Sequence, residues 1–445
     1  MIGGRRPISG RRPGDKRIRV ERRHSPYFRY TGPGQLTAKI AANAPSTRSG
    51  RFLLKLKGFV LGRPLASAEE AGQRLSKKKA LAIFSSDAIS SSAYATEEII
   101  LAFLLAGVGG AAFSLSIEVS VAIAVLLAIV AFSYRQVCIA YPNGGGSYSV
   151  SKANIGRIAS LVAASALLVD YTLTVAVSTS SAVEQIASAV PALDAVRVHI
   201  GLVAIGLITL GNLRGIREAG SIFAIPTYLF LGSAFLMIGI GVFRIVVQGD
   251  IGPTPSAEVI RVTQETATSV GILILLRAFA SGAVALTGTE AIATGVPAFQ
   301  PPEARNAART LMAMALILGT LFIGITFLAT NFHILPIEAP KQTVIAQIAR
   351  HVYGDTVAFY LFQAFTALLL FLAANTSYNA FPRLAAVLAE DGFFPRHFAF
   401  RGDRLAFSTG ILLLGLVAGA VVIAGGGSTH ALIPLYAVGV FIDFT

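Results

Sequence analysis

Apolar runs long enough to cross a bilayer follow one another along most of this chain, and that succession constrains the fold more than any motif. A run of about 18 residues with few charges spans a hydrocarbon core roughly 30 Å thick. Such runs fall at about 80–106, 117–141, 158–182, 197–213, 220–247, 271–299, 309–332, 355–380, 406–426 and 430–445. A soluble core does not need so many uninterrupted runs of this length. Only 13% of the 445 residues are charged, about half the share in an ordinary soluble domain. The sequence therefore predicts an all-α integral membrane protein with about ten membrane segments, the last incomplete.

The net charge of +14 does not point to nucleic acid, because of where it lies. Residues 1–50 carry twelve Lys/Arg against Asp15 and Glu21, and so +10 of the total. This stretch is rich in Arg, Gly, Pro and Ser without an apolar period, which predicts a basic, disordered N-terminal extension. It either lies on anionic membrane lipid or is an upstream extension with no role. A basic cytoplasmic juxtamembrane segment, 51–79, ends in Lys77, Lys78 and Lys79. With the amino end inside, inner loops carry eleven Lys/Arg (Arg217, Arg401 and Arg404 among them). Outer loops carry five, including Arg261 and Lys341. This asymmetry predicts a multi-pass cell-membrane protein with a cytoplasmic N-terminus. Cys138 is the only cysteine, which excludes an intramolecular disulfide. No glycine-rich loop with a lysine suggests an ATPase, no nucleophile elbow suggests a hydrolase, and no cofactor is implied. The sequence leaves oligomeric state open, a homodimer included.

Two apolar runs are interrupted. In the first, Ser85, Ser86, Asp87, Ser90, Ser91, Ser92 and Tyr94 break the pattern; in the sixth, Gly282, Thr287, Gly288, Thr289 and Glu290 do. Backbone at membrane depth must satisfy its own polar groups unless it lines a cavity. Breaks at matching places in two five-helix halves, 80–247 and 271–445, point to an inverted repeat with a midplane site. The alternative is that Ser and Gly only allow close helix packing. Asp87, Asp170 and Glu290 each place a carboxylate where it costs about 2.5–3.5 kcal/mol without a compensating role. Asp170, Thr174 and Ser178 recur every four residues and share one helix face; Thr287 and Glu290 are three apart. Such oxygen donors suit a hard cation. For Asp170 a simple buried ion pair is the alternative. Glu97, Glu98, Glu118 and Glu184 are expected at the outer face, solvated, as are His333 and His351. Tyr141-Pro142-Asn143-Gly144-Gly145-Gly146-Ser147-Tyr148 reads equally as part of an inner gate or as a cytoplasmic turn.

The stretches "LSKKKALAIFSSDAISSSAYATEEI", "YPNGGGSYSVSKANIG", "VDYTLTVAVSTSSAV", "LRAFASGAVALTGTEAIATGVPAF" and "LIPLYAVGVF" resemble the amino acid–polyamine–organocation (APC) superfamily. More closely, they resemble its KUP-type bacterial potassium importers. The resemblance implies a LeuT-type core, two inverted five-helix repeats with discontinuous helices one and six. It implies an ion site of Asp87, Tyr94, Asp170, Thr174, Ser178, Thr287, Glu290 and Tyr436, with Asp170 and Glu290 as candidates for proton coupling. The expected activity is potassium import with protons by alternating access, potassium and proton being cargo. An amino acid or polyamine permease on the same scaffold is the alternative, although Asp87 would repel an amino-acid carboxylate. A non-transporting membrane protein or an inactive truncated fragment is the second, since the sequence stops at "FIDFT" within helix ten and places Asp443 there.

Overall fold

The computed structural model describes residues 8–9, 16–17, 28–32, 35–38, 47, 74–142, 144, 146–214, 220–253, 270–336, 342–400 and 407–444. Asn143, Gly145, Arg217, Arg261, Lys341, Arg401, Arg404 and most of 1–73 lie outside these residues, as does the Asp443 side chain. Two compact units divide the chain, Met1–Gly62 and Arg63–Thr445. In the first, β1 (Ile8–Ser9) pairs antiparallel with β2 (Lys16–Arg17), and β3 (Phe28–Gly32) with β4 (Gln35–Ala38). Apart from these ladders, almost all of 1–50, where an unstructured extension is expected, lies outside the described residues. Phe28, Tyr30 and Thr37 are good strand formers and sit within the second ladder.

The second unit is helical wherever it forms regular structure among the described residues. The first apolar run becomes α1 (Lys77–Phe84), α2 (Ser86–Ser90), a 3-10 turn at Ser91–Ala93 and α3 (Ala95–Leu105). Then come α4 (Ala111–Ala140), α5 (Gly146–Asn154), α6 (Arg157–Ala189), α7 (Arg197–Leu213) and α8 (Gly220–Phe243). The sixth run gives α9 (Ile272–Gly282), a 3-10 turn at Ala283–Leu286 and α10 (Glu290–Thr294). It is followed by α11 (Glu303–Asn331), α12 (Val344–Tyr353), α13 (Val357–Glu390), α14 (Ser408–Ala424) and α15 (Thr429–Phe444). Among the described residues seven helices are long and apolar enough to span, and the bent pair Ser86–Ala93 and Ala95–Leu105 makes an eighth. Two shorter apolar helices, α14 and α15, follow. Exposed Leu105, Ile129, Leu207 and Leu416 stud the outer surface, as lipid-facing positions require. The molecule is a multi-pass membrane protein.

Four elements differ from expectation. Gly146–Asn154 is a helix rather than a turn, and α12 occupies the loop before α13. The third and eighth helices run on to Ala189 and Glu390, past the ends that hydropathy suggested at 182 and 380. Gln185, Ser188 and Arg383 end the apolar pattern without ending the helix, because they are compatible with helical backbone.

Packing centres on α6, which lies along α13 and α15, while α4 packs along α11. The strand-like chain before α1 bridges to the end of the sixth segment, Leu75 N–H donating to Ala298 at 2.7 Å and Leu75 accepting from Gln300 at 3.0 Å. The two interrupted segments are thus tied together at one end. At that end α5 is fixed to the foot of α13, where Lys152 donates to Asp391 at 2.6 Å and Tyr148 donates to the same oxygen. The Lys152 contact, then the Tyr148 hydroxyl, hold the Asp391 carboxyl below its usual range. Stability from a carboxylate of lowered pKa is present above its unfolded value and lost as pH falls through its folded one. Asp391→Asn is therefore expected to lower the melting temperature in detergent above about pH 4, with the difference from the parent closing on further acidification; a constant difference would contradict this.

Candidate functional site

The breaks in the two interrupted segments face each other. Tyr94 leaves helical geometry at φ −128°, and the chain bends by 40° between the helices on either side of it. Thr287 is extended (φ −58°, ψ 154°) and Gly288 follows at φ +74°. A Cβ on Gly288 would stand 2.6 Å from Ala88 N and 2.9 Å from Asp87 Cβ. Glycine here supplies both the left-handed backbone and the close approach.

The serines and threonines around the breaks bond carbonyls of the interrupted turns, where regular helical pairing lapses. Ser90 donates to the Asp87 carbonyl at 2.7 Å, Ser92 to Ile89 at 2.7 Å, Thr287 to Val284 at 3.0 Å and Thr289 to Leu286 at 3.0 Å. Ser91 donates across the interface to Ala285 at 3.2 Å. Most of the polarity that marked the breaks in the sequence is consumed in holding them open.

Between the breaks lies a cavity of about 20 Å³, room for one water-sized particle. Asp87, Asp170, Thr287, Gly288 and Glu290 line it, with Thr376 and Ser377 of α13 closing the far wall. One oxygen of Asp87, itself only 4% exposed, has no hydrogen-bond partner. A buried carboxylate oxygen in that position needs a positive partner or a proton. Thr174 and Tyr436 share a hydroxyl–hydroxyl bond of 2.9 Å beside the cavity. Tyr94, buried at the first break, is within electrostatic range of Asp87 and Asp170. Ser178 is buried one turn beyond Thr174, its hydroxyl without a partner. The structure thus gathers Asp87, Tyr94, Asp170, Thr174, Thr287, Glu290 and Tyr436, and sets Ser178 slightly apart.

Glu290 is also tied to α5: Ser147 donates to it through its backbone amide at 3.2 Å and its hydroxyl at 3.3 Å, and Thr294 donates at 3.3 Å. A Cβ on Gly146 would overlap the Glu290 carboxylate. Thr376 and Ser377 were not singled out from the sequence, and Ser147 only as part of the Tyr141–Tyr148 stretch. The polar stretch Asn375-Thr376-Ser377-Tyr378-Asn379 within an apolar run was the signal for the last two. A second cavity, of about 60 Å³, shares Ala291, Thr376 and Ala380 with the first and opens beside α1, Asn375 and Arg383.

Glu97 and Glu98 correct the expectation of solvated outer acids. Both are 5% exposed; helix α3 turns them inward, where the His430 ring and the Val344 amide partner them. Glu184 accepts from the Thr429 amide at 2.9 Å, whereas Glu118 is exposed, as expected. His351 is only partly exposed and bonds Asp250 at 2.9 Å; His333 is exposed.

Tyr436→Phe removes only the hydroxyl that meets Thr174. It is expected to raise the half-saturating cation concentration about 5- to 10-fold, from a bond of about 1–1.5 kcal/mol. An unchanged value in concentration-dependent uptake would remove Tyr436 from the site.

The chain belongs to the amino acid permease family, whose model matches residues 75–445. It is also 47% identical over 390 residues to the potassium transporter KimA of Bacillus subtilis (strain 168). That alignment covers 88% of this chain and 63% of the relative, so the chain spans less than two thirds of that protein's length.

Proposed function

We propose that the protein is a secondary active transporter that imports potassium with protons by alternating access. The reading takes it as two inverted five-helix repeats, ten spans, with the amino end in the cytoplasm of a plasma membrane. The observation that carries it is the 20 Å³ cavity between two facing helix breaks, lined by three carboxylates, Asp87, Asp170 and Glu290. An amino acid needs more volume, and its carboxylate would face these acids at close range. A dehydrated monovalent cation fits both the size and the charge. Three acids around one ion leave a carboxylate free to exchange a proton. The similarity to a protein named for potassium transport supports this cargo. A polyamine is the second reading, favoured only by the larger cavity that shares a wall with this one beside α1.

Purified protein in proteoliposomes is expected to accumulate rubidium or potassium when a proton gradient is imposed and to acidify the lumen in step. Amino acid or polyamine uptake without cation uptake would overturn the proposal.

A further inference from the structure

A second polar layer lies on the opposite side of the cavity from α5. It is built on three helices that also carry site residues. Glu97 and Glu98 follow Tyr94 on α3, Glu184 lies six residues beyond Ser178 on α6, and His430 lies six before Tyr436 on α15. Six residues of helix are about 9 Å. The His430 ring is clamped from both sides: Nδ1 on Glu98 and Nε2 on Glu97 at 3.3 Å. The other Glu97 oxygen accepts from Val344 N–H at the start of α12 at 2.9 Å. Glu184 holds the first amide of α15. Thr343, before α12, bonds Gln185 and Ser188 of α6 at 3.1 Å each. Arg197 faces the same corner, donating to Gly426 at 2.9 Å and pairing with Asp194 at 3.6 Å.

The geometry fixes a proton count. A neutral imidazole has one N–H donor and one acceptor nitrogen, so with two carboxylates on its two nitrogens it satisfies only one. Either the ring is an imidazolium or one acid is protonated, and in both cases the cluster holds one proton more than neutral His430 with two ionised acids. Removing that proton leaves an acid facing a bare nitrogen, with Glu97, Glu98 and Glu184 repelling one another. Pro434, inside α15, has no N–H to return to the His430 carbonyl four residues back. The least constrained turn of α15 therefore lies between this cluster and Tyr436.

We propose that Glu97, Glu98, Glu184 and His430 form a proton-held latch that closes the path to the cation cavity on the side opposite α5 and opens on loss of that proton. The proposal rests on the transport reading above and adds to it the outer closure. On the other side the cavity shares Ala291, Thr376 and Ala380 of its wall with the larger space beside α1. On the latch side α3, α6, α12 and α15 are joined by the bonds just described.

Ser181 continues the Asp170, Thr174, Ser178 face; it is 1% exposed and its hydroxyl has no partner, which places a reporter between site and latch. The test uses the full chain carrying Ser181→Cys and Cys138→Ser in proteoliposomes. A membrane-impermeant cationic thiosulfonate is added on either side, and rates are normalised to the same thiol in denatured protein at each pH. From the side bearing the latch, parent labelling is expected to be slow and to rise by up to about tenfold per pH unit, as release of one proton requires. His430→Gln is expected to label faster and with no pH slope. Labelling of His430→Gln at the parental rate and slope would overturn the latch. Should that variant fail to insert, Glu98→Gln decides: the parental profile moved to lower pH supports the latch, and an unmoved profile overturns it. Labelling does not depend on cargo, so absent cation uptake in the parent would sink the transport reading separately.

Discussion

Cation uptake by Glu290→Gln and by Asp170→Asn is expected to fall by roughly a thousandfold while both proteins insert and purify as the parent does. For Asp170→Asn the loss is one of binding: a unit charge about 4 Å from a cation in a partly buried site contributes about 4 kcal/mol, close to three decades in binding. For Glu290→Gln it is the loss of the proton exchange that couples uptake to the gradient. Both substitutions keep shape and remove charge. The glutamine carbonyl at 290 can still accept from the Ser147 amide, and its NH2 group can donate to the Ser147 hydroxyl, which now lies 3.3 Å from the carboxylate. Asp170 lines the cavity between Asp87 and α13, so the Asp170→Asn protein is expected to lose the ion outright. Glu290 stands at the α5 end of the cavity, held by groups that move if α5 moves. The two variants are therefore expected to part in a second assay. Without a proton gradient, rubidium–rubidium exchange survives in Glu290→Gln, which has lost only the exchangeable proton, and is absent in Asp170→Asn. Parental gradient-driven uptake in both variants would remove these acids from the mechanism.

The helical interruptions were legible because hydroxyls, glycines and an acid stand out against leucine and alanine, and the Asp170, Thr174, Ser178 spacing survives intact in α6. What those hydroxyls do was less legible. Ser90, Ser92 and Thr289 mark the interruptions in the sequence, and in the structure they bond carbonyls three residues back. Tyr436 carried no local signal and was reached through a family resemblance. Glu97 and Glu98 were misplaced because hydropathy reports how deep an acid sits and not whether a partner waits there. Theirs, His430, is more than 300 residues away in the chain. Helix α5 was hidden by its own glycines, which read equally as part of an inner gate or as a turn. Gly146 instead leaves room for the Glu290 carboxylate.

Gly288→Ala is expected to abolish uptake and to lower the melting temperature, although it adds a single methyl group. At φ +74° an L-residue costs about 1–2 kcal/mol. The new Cβ would stand 2.6 Å from the Ala88 amide nitrogen and 2.9 Å from Asp87 Cβ. Neither neighbour is the free end of a flexible chain. Overpacking of this kind costs typically 1–3 kcal/mol more, and it can be relieved only by moving the two breaks apart. A cavity of about 20 Å³ tolerates little of that, because a few tenths of an ångström at both walls draw the oxygens away from a bare cation. Gly239→Ala is the control: it lies within α8 and its added Cβ meets nothing within 4 Å, so uptake and melting are expected to stay at parental values. Two variants with the same chemistry then differ in whether the methyl falls between the breaks, on a left-handed backbone, or on an open helix face. Parental uptake in Gly288→Ala would mean that the breaks need not touch for the ion to be held.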